Sequence, residues 1–134
     1  PAAANNSITT YPAVPKGCFP SVSAACRPIC SSAKFMKYQW TASETLEFTM
    51  WLLNDTFGKT PAPYTMTAIL VAPDGTQTEL QSWTTPSAAD NENIQGPCVK
   101  TVLPTWDGAC TFTVKVLVSG HPEMDSSYTL AYKK

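Results

Sequence analysis

The sequence predicts an all-β protein: an antiparallel β-sandwich of jelly-roll or immunoglobulin-like type, roughly seven or eight strands, carried behind a cysteine- and proline-rich amino-terminal arm. Three observations predict it. Apolar and polar residues alternate with period two in run after run beyond about residue 35. Turn residues separate those runs at short intervals. Helical periodicity is almost absent. With 134 residues the chain can bury one ordinary core, so residues 1–34 read as an arm and residues 35–134 as a single sandwich domain.

From Pro1 to about Lys34, prolines at 1, 12, 15, 20 and 28 interrupt every run, and the arm reads as partly extended. Met36, Tyr38 and Trp40 then alternate with Lys37 and Gln39. Leu46, Phe48, Met50 and Leu52 alternate with Thr45, Glu47, Thr49 and Trp51. These predict two strands divided by Thr41-Ala42-Ser43. The segment from Tyr64 to Ala72 is rich in β-branched and aromatic residues and leads into Pro73-Asp74-Gly75. There a proline presets one turn dihedral and a glycine tolerates positive φ, which predicts a hairpin into TQTELQSW. A polar loop follows from Thr84 to Gly96, then strands over 99–103, 110–118 and 128–132. In CTFTVKVLV, the residues Phe112, Val114, Val116 and Val118 share the core face.

Four stretches, YQWTASETLEFTMWL, ILVAPDGTQ, VLPTWDGACTFTVKV and SSYTLAY, together give an order of strands and turns that resembles the bacterial prepeptidase carboxy-terminal domain. That family is a small β-sandwich appended to secreted proteases and other extracellular enzymes. The resemblance covers about residues 35 to 134 and implies a sandwich fold with an accessory role. Tyr64-Thr65-Met66-Thr67-Ala68 lacks the acidic residues that members often place beside the hairpin strand, and the cysteine-bearing arm lies outside the family pattern. A second resemblance, to immunoglobulin-like domains of fungal cell-wall proteins, also implies an extracellular protein.

Charged residues are 14% of the chain and the formal net charge is -1, which leaves no basic surface for nucleic acid. No apolar run approaches the roughly 20 residues of a membrane span. The opening Pro1-Ala2-Ala3-Ala4 reads as a mature end from which a targeting segment has been removed. Five cysteines, Cys18, Cys26, Cys30, Cys98 and Cys110, read as local staples in an oxidising compartment and predict secretion. Cys98 and Cys110 flank one strand and its turn, so a hairpin would bring their Cα atoms within the roughly 4.4–6.8 Å that a disulfide needs. Two of the amino-terminal three are then expected to pair, Cys18 with Cys26 or Cys30. The odd thiol is left reactive or bonded to another chain. The sequons at Asn5 and Asn54 agree with a secretory route.

Catalytic chemistry finds little material. His121 is the only histidine, no G-x-S-x-G stretch occurs, and a solvated turn residue is the simpler reading. Cys26 and Cys30 are spaced C-x3-C without a histidine or second pair at zinc-like distance, and no haem or thioredoxin motif is present. Asp90, Asn91, Glu92 and Asn93 lack the regular spacing of a calcium loop and read as solvated. Neither cofactor nor metal is expected, and no catalytic residue is assigned. Trp40, Phe48 and Phe112 are expected in the core. Trp51, Trp83 and Trp106, out of register with the core faces or in a turn, are the candidate binding residues for a sugar or protein contact. The sequence therefore points to a noncatalytic extracellular binding or accessory module, its partner a protein, a glycan, a surface or a second copy of itself. The alternative is a structural subunit of a filament or matrix, assembled when a segment such as residues 7–11 adds to a neighbour's sheet edge.

Overall fold

A computed structural model describes residues 8–10, 12–58 and 62–134. In chain order the elements are β1 (Thr9–Thr10), β2 (Val14–Pro15), α1 (Phe19–Ala25), β3 (Ile29–Phe35), β4 (Gln39–Thr41), β5 (Thr45–Asn54), β6 (Thr65–Val71), β7 (Gln77–Thr84), β8 (Ile94–Val102), β9 (Cys110–Val118) and β10 (Ser126–Lys133), with a 3-10 turn at Pro122–Met124. Eight strands form the sandwich: a five-stranded sheet ordered β4-β10-β9-β6-β7 faces a three-stranded sheet ordered β3-β5-β8. Every pairing is antiparallel except β4 with β10, which is parallel.

The alternation in the sequence is the alternation of the sheets. Leu46, Phe48, Met50 and Leu52 of β5 meet Met66, Ala68 and Leu70 of β6 and Phe112, Val114, Val116 and Val118 of β9 in one core. Strand side chains point to opposite faces in turn, so a single register buries every apolar residue of each set. The predicted hairpin between β6 and β7 closes as expected. Gly75 takes φ 87, its N–H donates to Ala72 O at 2.9 Å, and the Asp74 carboxylate accepts Thr76 N–H at 2.8 Å.

Four expectations are corrected. Met36 and Tyr38 do not share a buried face with Trp40: they are 86% and 67% exposed, while Trp40 is 4% exposed. They lie in the bend where the chain leaves β3 in one sheet and enters β4 in the other. Secondly, the sandwich begins at Ile29, not at residue 35, because β3 pairs with β5 along its whole length and turns Ala33 and Phe35 into the core. Its third inward residue, Ser31, hid the pattern. That hydroxyl is buried and donates to Val116 O at 2.7 Å and Met124 O at 3.1 Å. Thirdly, the arm holds a helix. Proline sits in the first turn of α1, where its missing N–H costs nothing. Finally, β8 begins at Ile94, so the loop expected to run to Gly96 ends earlier, and Gly96 and Pro97 are strand residues. The register between β5 and β8 shifts between Thr49 and Trp51, opposite those two residues, and a strand admits a proline at such an irregularity.

Candidate functional site

α1 and β3 are joined by Arg27, which ties the arm to the sandwich. Its Nε donates to Ala24 O at 2.7 Å, its Nη1 to Glu123 O at 2.8 Å and Asp125 O at 2.6 Å, and its Nη2 to Ser126 Oγ at 2.9 Å. Four of the five guanidinium N–H groups are thereby engaged, so Arg27 acts as a strut and not as an anion receptor. Ser126 passes the connection on, donating to Ser31 O at 2.6 Å. Tyr128 does the same one step along β10: its hydroxyl accepts Ala33 N–H at 3.0 Å and lies 3.2 Å from Ser32 Oγ.

These contacts leave a cleft of about 520 Å³ between α1, β3 and the start of β10. One wall is Ser21, Ala24 and Ala25 of α1. The floor is Cys30, Ser32 and Leu53. The far wall runs from Asp125 to Tyr128. Cys30 is 5% exposed; burial pushes its thiol up, against the opposing charge of Arg27, and keeps it protonated at neutral pH. The cleft is thus lined by small, hydroxyl-bearing and apolar groups, with Arg27 and Asp125 as its two charges. Apart from Cys30, none of these residues was singled out in the sequence. Arg27 between two cysteines was visible, but its partners lie nearly a hundred positions away.

The three tryptophans form no common platform. Trp51 stands on the outer face of the three-stranded sheet, opposite Ser32 and Gln95, with its indole N–H buried and without an acceptor among the described residues. Trp83 packs against the core and lies over Gly96, where an added Cβ would come within 2.6 Å of the ring. Trp106 closes one end of the core, its ring 4.9 Å from Tyr132 and 5.3 Å from Phe112.

The polar candidates have structural partners. His121 Nδ1 lies 3.1 Å from Glu123 Oε1 and its ring meets Tyr64 edge-on at 5.1 Å. Asp90 accepts Gly58 N–H, Glu92 accepts Ala89 N–H, and Asn93 accepts Asn54 N–H, so these side chains hold the loop between β7 and β8. Asn54 is 0% exposed. Its amide donates to Ala89 O at 2.8 Å and its carbonyl accepts from the Thr56 main chain and hydroxyl. The expectation of a glycan there is corrected: the folded chain leaves no room for one. Asn5, like Ser7 and Tyr11 of the suggested strand-adding segment, lies outside the described residues. Thr9 and Thr10 of that segment pair within the arm's own hairpin.

All five cysteines are free thiols, which corrects the expected staples. Cys98 and Cys110 sit on different sheets, not on one hairpin. Cys98 faces outward beside Glu47, whereas Cys110 packs inward against the core. Cys18 and Cys26 cap opposite ends of α1, which sets their Cα atoms about 12 Å apart, beyond the reach of a disulfide.

The fold and its contacts define a class, a two-sheet β-sandwich with a helical arm strapped across one side. Among solved structures the chain is similar to the CARDB domain of the PF1109 protein from Pyrococcus furiosus, solved in complex with di-metal ions. The TM-score is 0.55 at 12% identity, over 78% of this chain and 91% of that one. It is also similar to part of the alkylpurine DNA glycosylase AlkC of Pseudomonas fluorescens, bound to DNA containing an abasic site analogue. There the TM-score is 0.51 at 10% identity, over 80% of this chain and 31% of that one. At such identities the likeness is one of fold alone. No protein-family profile matches the sequence, nor does any curated protein.

Proposed function

We propose that the chain is a noncatalytic β-sandwich that works outside the cell as a binding or accessory module, with the cleft beneath α1 as its ligand site. The cleft is the observation that carries this reading. Residues 21–32, Leu53 and residues 125–128 converge on it, its size lies in the range of small ligand pockets, and its lining mixes apolar surface with hydroxyls. The weak overall charge favours a glycan or protein partner over nucleic acid. The sequence resemblance to prepeptidase carboxy-terminal domains suits an accessory role, and the fold likeness to a CARDB domain is one of β-sandwich architecture. The extracellular placement rests on the sequence resemblances to domains of secreted and cell-wall proteins, because the free thiols remove the staples that argued for an oxidising compartment.

The test is binding of the full chain to immobilised glycan and peptide panels, beside a variant in which Ala24→Trp fills the cleft. Binding that the variant loses supports the reading, and binding indifferent to it overturns the site. Glycosidase, esterase or peptidase activity that disappears on His121→Ala would overturn the noncatalytic part. A structural subunit is the second reading, favoured by the apolar surface that Ile8, Val14 and Phe19 leave exposed on the arm. Size-exclusion mass with and without residues 1–28 separates the two: polymer lost on truncation favours the subunit.

A further inference from the structure

The far wall of the cleft is an unpaired strand edge. Ala131 donates its main-chain N–H to Tyr38 O at 3.0 Å, at the entrance to β4. Main-chain groups of alternate residues point to the same side of a strand, so Ser127 and Thr129 present their N–H and C=O on that side too. β4 covers only residues 131 to 133 of β10. At the other end, Asp125 O is already taken by Arg27. Between these two stops lies an open edge about 20 Å long. Among the described residues nothing pairs with Ser127 or Thr129 on that side, because the chain that could have continued β4 runs instead in the opposite sheet as β3.

We propose that the cleft takes an extended, uncharged peptide segment of a partner protein, which adds to the edge of β10 in line with β4. The proposal rests on the cleft being the ligand site and names what fills it. An unpaired edge offers alternating donors and acceptors at a spacing that only another extended backbone matches. The helix wall facing that edge is built of Ser21, Ala24 and Ala25, which leaves space for small or β-branched side chains and none for large ones. Arg27 and Asp125 cancel in charge, so a charged segment gains no partner there. Roughly six residues fit between the stops.

The experiment pans a random heptapeptide library on the full-length chain and follows the selected peptide, made synthetically, by calorimetry and amide hydrogen exchange. Bound peptide is expected to slow exchange at Ser127 and Thr129 at least about tenfold, and Ala24→Trp and Ser127→Pro each to weaken binding by about tenfold or more. Proline at 127 removes a donor that faces away from β9, so its circular dichroism should match the parent. Peptides that bind in an Ala24-dependent way without protecting these two amides overturn strand addition and leave the cleft as a ligand site. A glycan that binds through the cleft while no peptide is selected does the same. A library and panels that both yield nothing overturn both readings.

Discussion

Gly96 has no room for a methyl group. Atoms of the Trp83 ring lie 2.6 Å from where a Cβ would stand, and an indole cannot bend aside as a lysine would. Gly96→Ala should therefore cost about 1–3 kcal/mol of overpacking strain, read as a lower urea midpoint. Pairing it with Trp83→Leu should recover part of that loss. Asn54 is the polar counterpart. Removing its side chain breaks the part-buried bonds to Ala89 O and Thr56 and empties a buried site, so Asn54→Ala should cost about 1–3 kcal/mol, and mass spectrometry of the chain from a eukaryotic host should show no glycan at Asn54. The thiols are ranked by the same reasoning. Cys18, Cys26 and Cys98 are exposed and Cys30 is buried, so a thiol reagent should modify the first three in the native chain and reach Cys30 only on unfolding. Partial desolvation, then the bond to Glu47, push the Cys98 thiol up. Its modification should need higher pH than that of a cysteine peptide, and a Glu47→Gln variant should react at lower pH.

At the scale of elements, the tight turn from β4 to β5 depends on Glu44. Its carboxylate pairs with Lys37 and accepts the Thr41 N–H at 2.9 Å, while Lys37 also lies 4.4 Å from the centre of the Trp40 ring. The Lys37 bond first, then that from Thr41, hold the Glu44 carboxyl below the usual carboxylate range. A group whose folded pKa is depressed stabilises the fold above its unfolded value, about 4.3 for glutamate, and loses that contribution as pH falls through the folded one. Unfolding midpoints should thus decline on acidification below about pH 4, and less steeply for Glu44→Gln. The strand edges follow a different logic. β3 has its Ser31 and Ala33 main-chain groups met by Ser126 and Tyr128 side chains, and β8 carries Pro97. Edges plugged or interrupted in this way resist chance pairing, unlike the open stretch of β10 and the outer edge of β7, the last strand of its sheet.

For the molecule as a whole, the domain boundary can be measured. A chain starting at Arg27 retains β3 and every residue of the core cluster, so it should give the same β-rich circular dichroism and a cooperative thermal transition. One starting at Phe35 loses the strand that pairs with β5 and exposes core side chains. It should unfold or aggregate. If both fold alike, β3 is not an integral strand of the sandwich.

The long strands were legible because their information is local. In β5, β6 and β9 the side-chain period of two coincides with a nearly continuous alternation of apolar and polar residues, and Pro73-Asp74-Gly75 carries its own turn chemistry. β3 was not legible: it turns a serine and an alanine inward, and only carbonyls contributed from elsewhere make the serine a buried residue. The tryptophans and cysteines failed as guides for a related reason. Trp83 and Trp106 are half-buried by residues distant in the chain, and a hairpin between Cys98 and Cys110 was inferred from neighbourhood in sequence while the strands belong to opposite sheets. The cleft was invisible because Arg27 meets Glu123, Asp125 and Ser126 only after the chain has closed on itself. The sequence by itself determined an all-β sandwich with one core, since hydrophobic periodicity acts over neighbouring residues. The tertiary structure alone decided where that sandwich begins, which thiols lie apart and which strand edges stay open, since each depends on what the rest of the fold brings into contact.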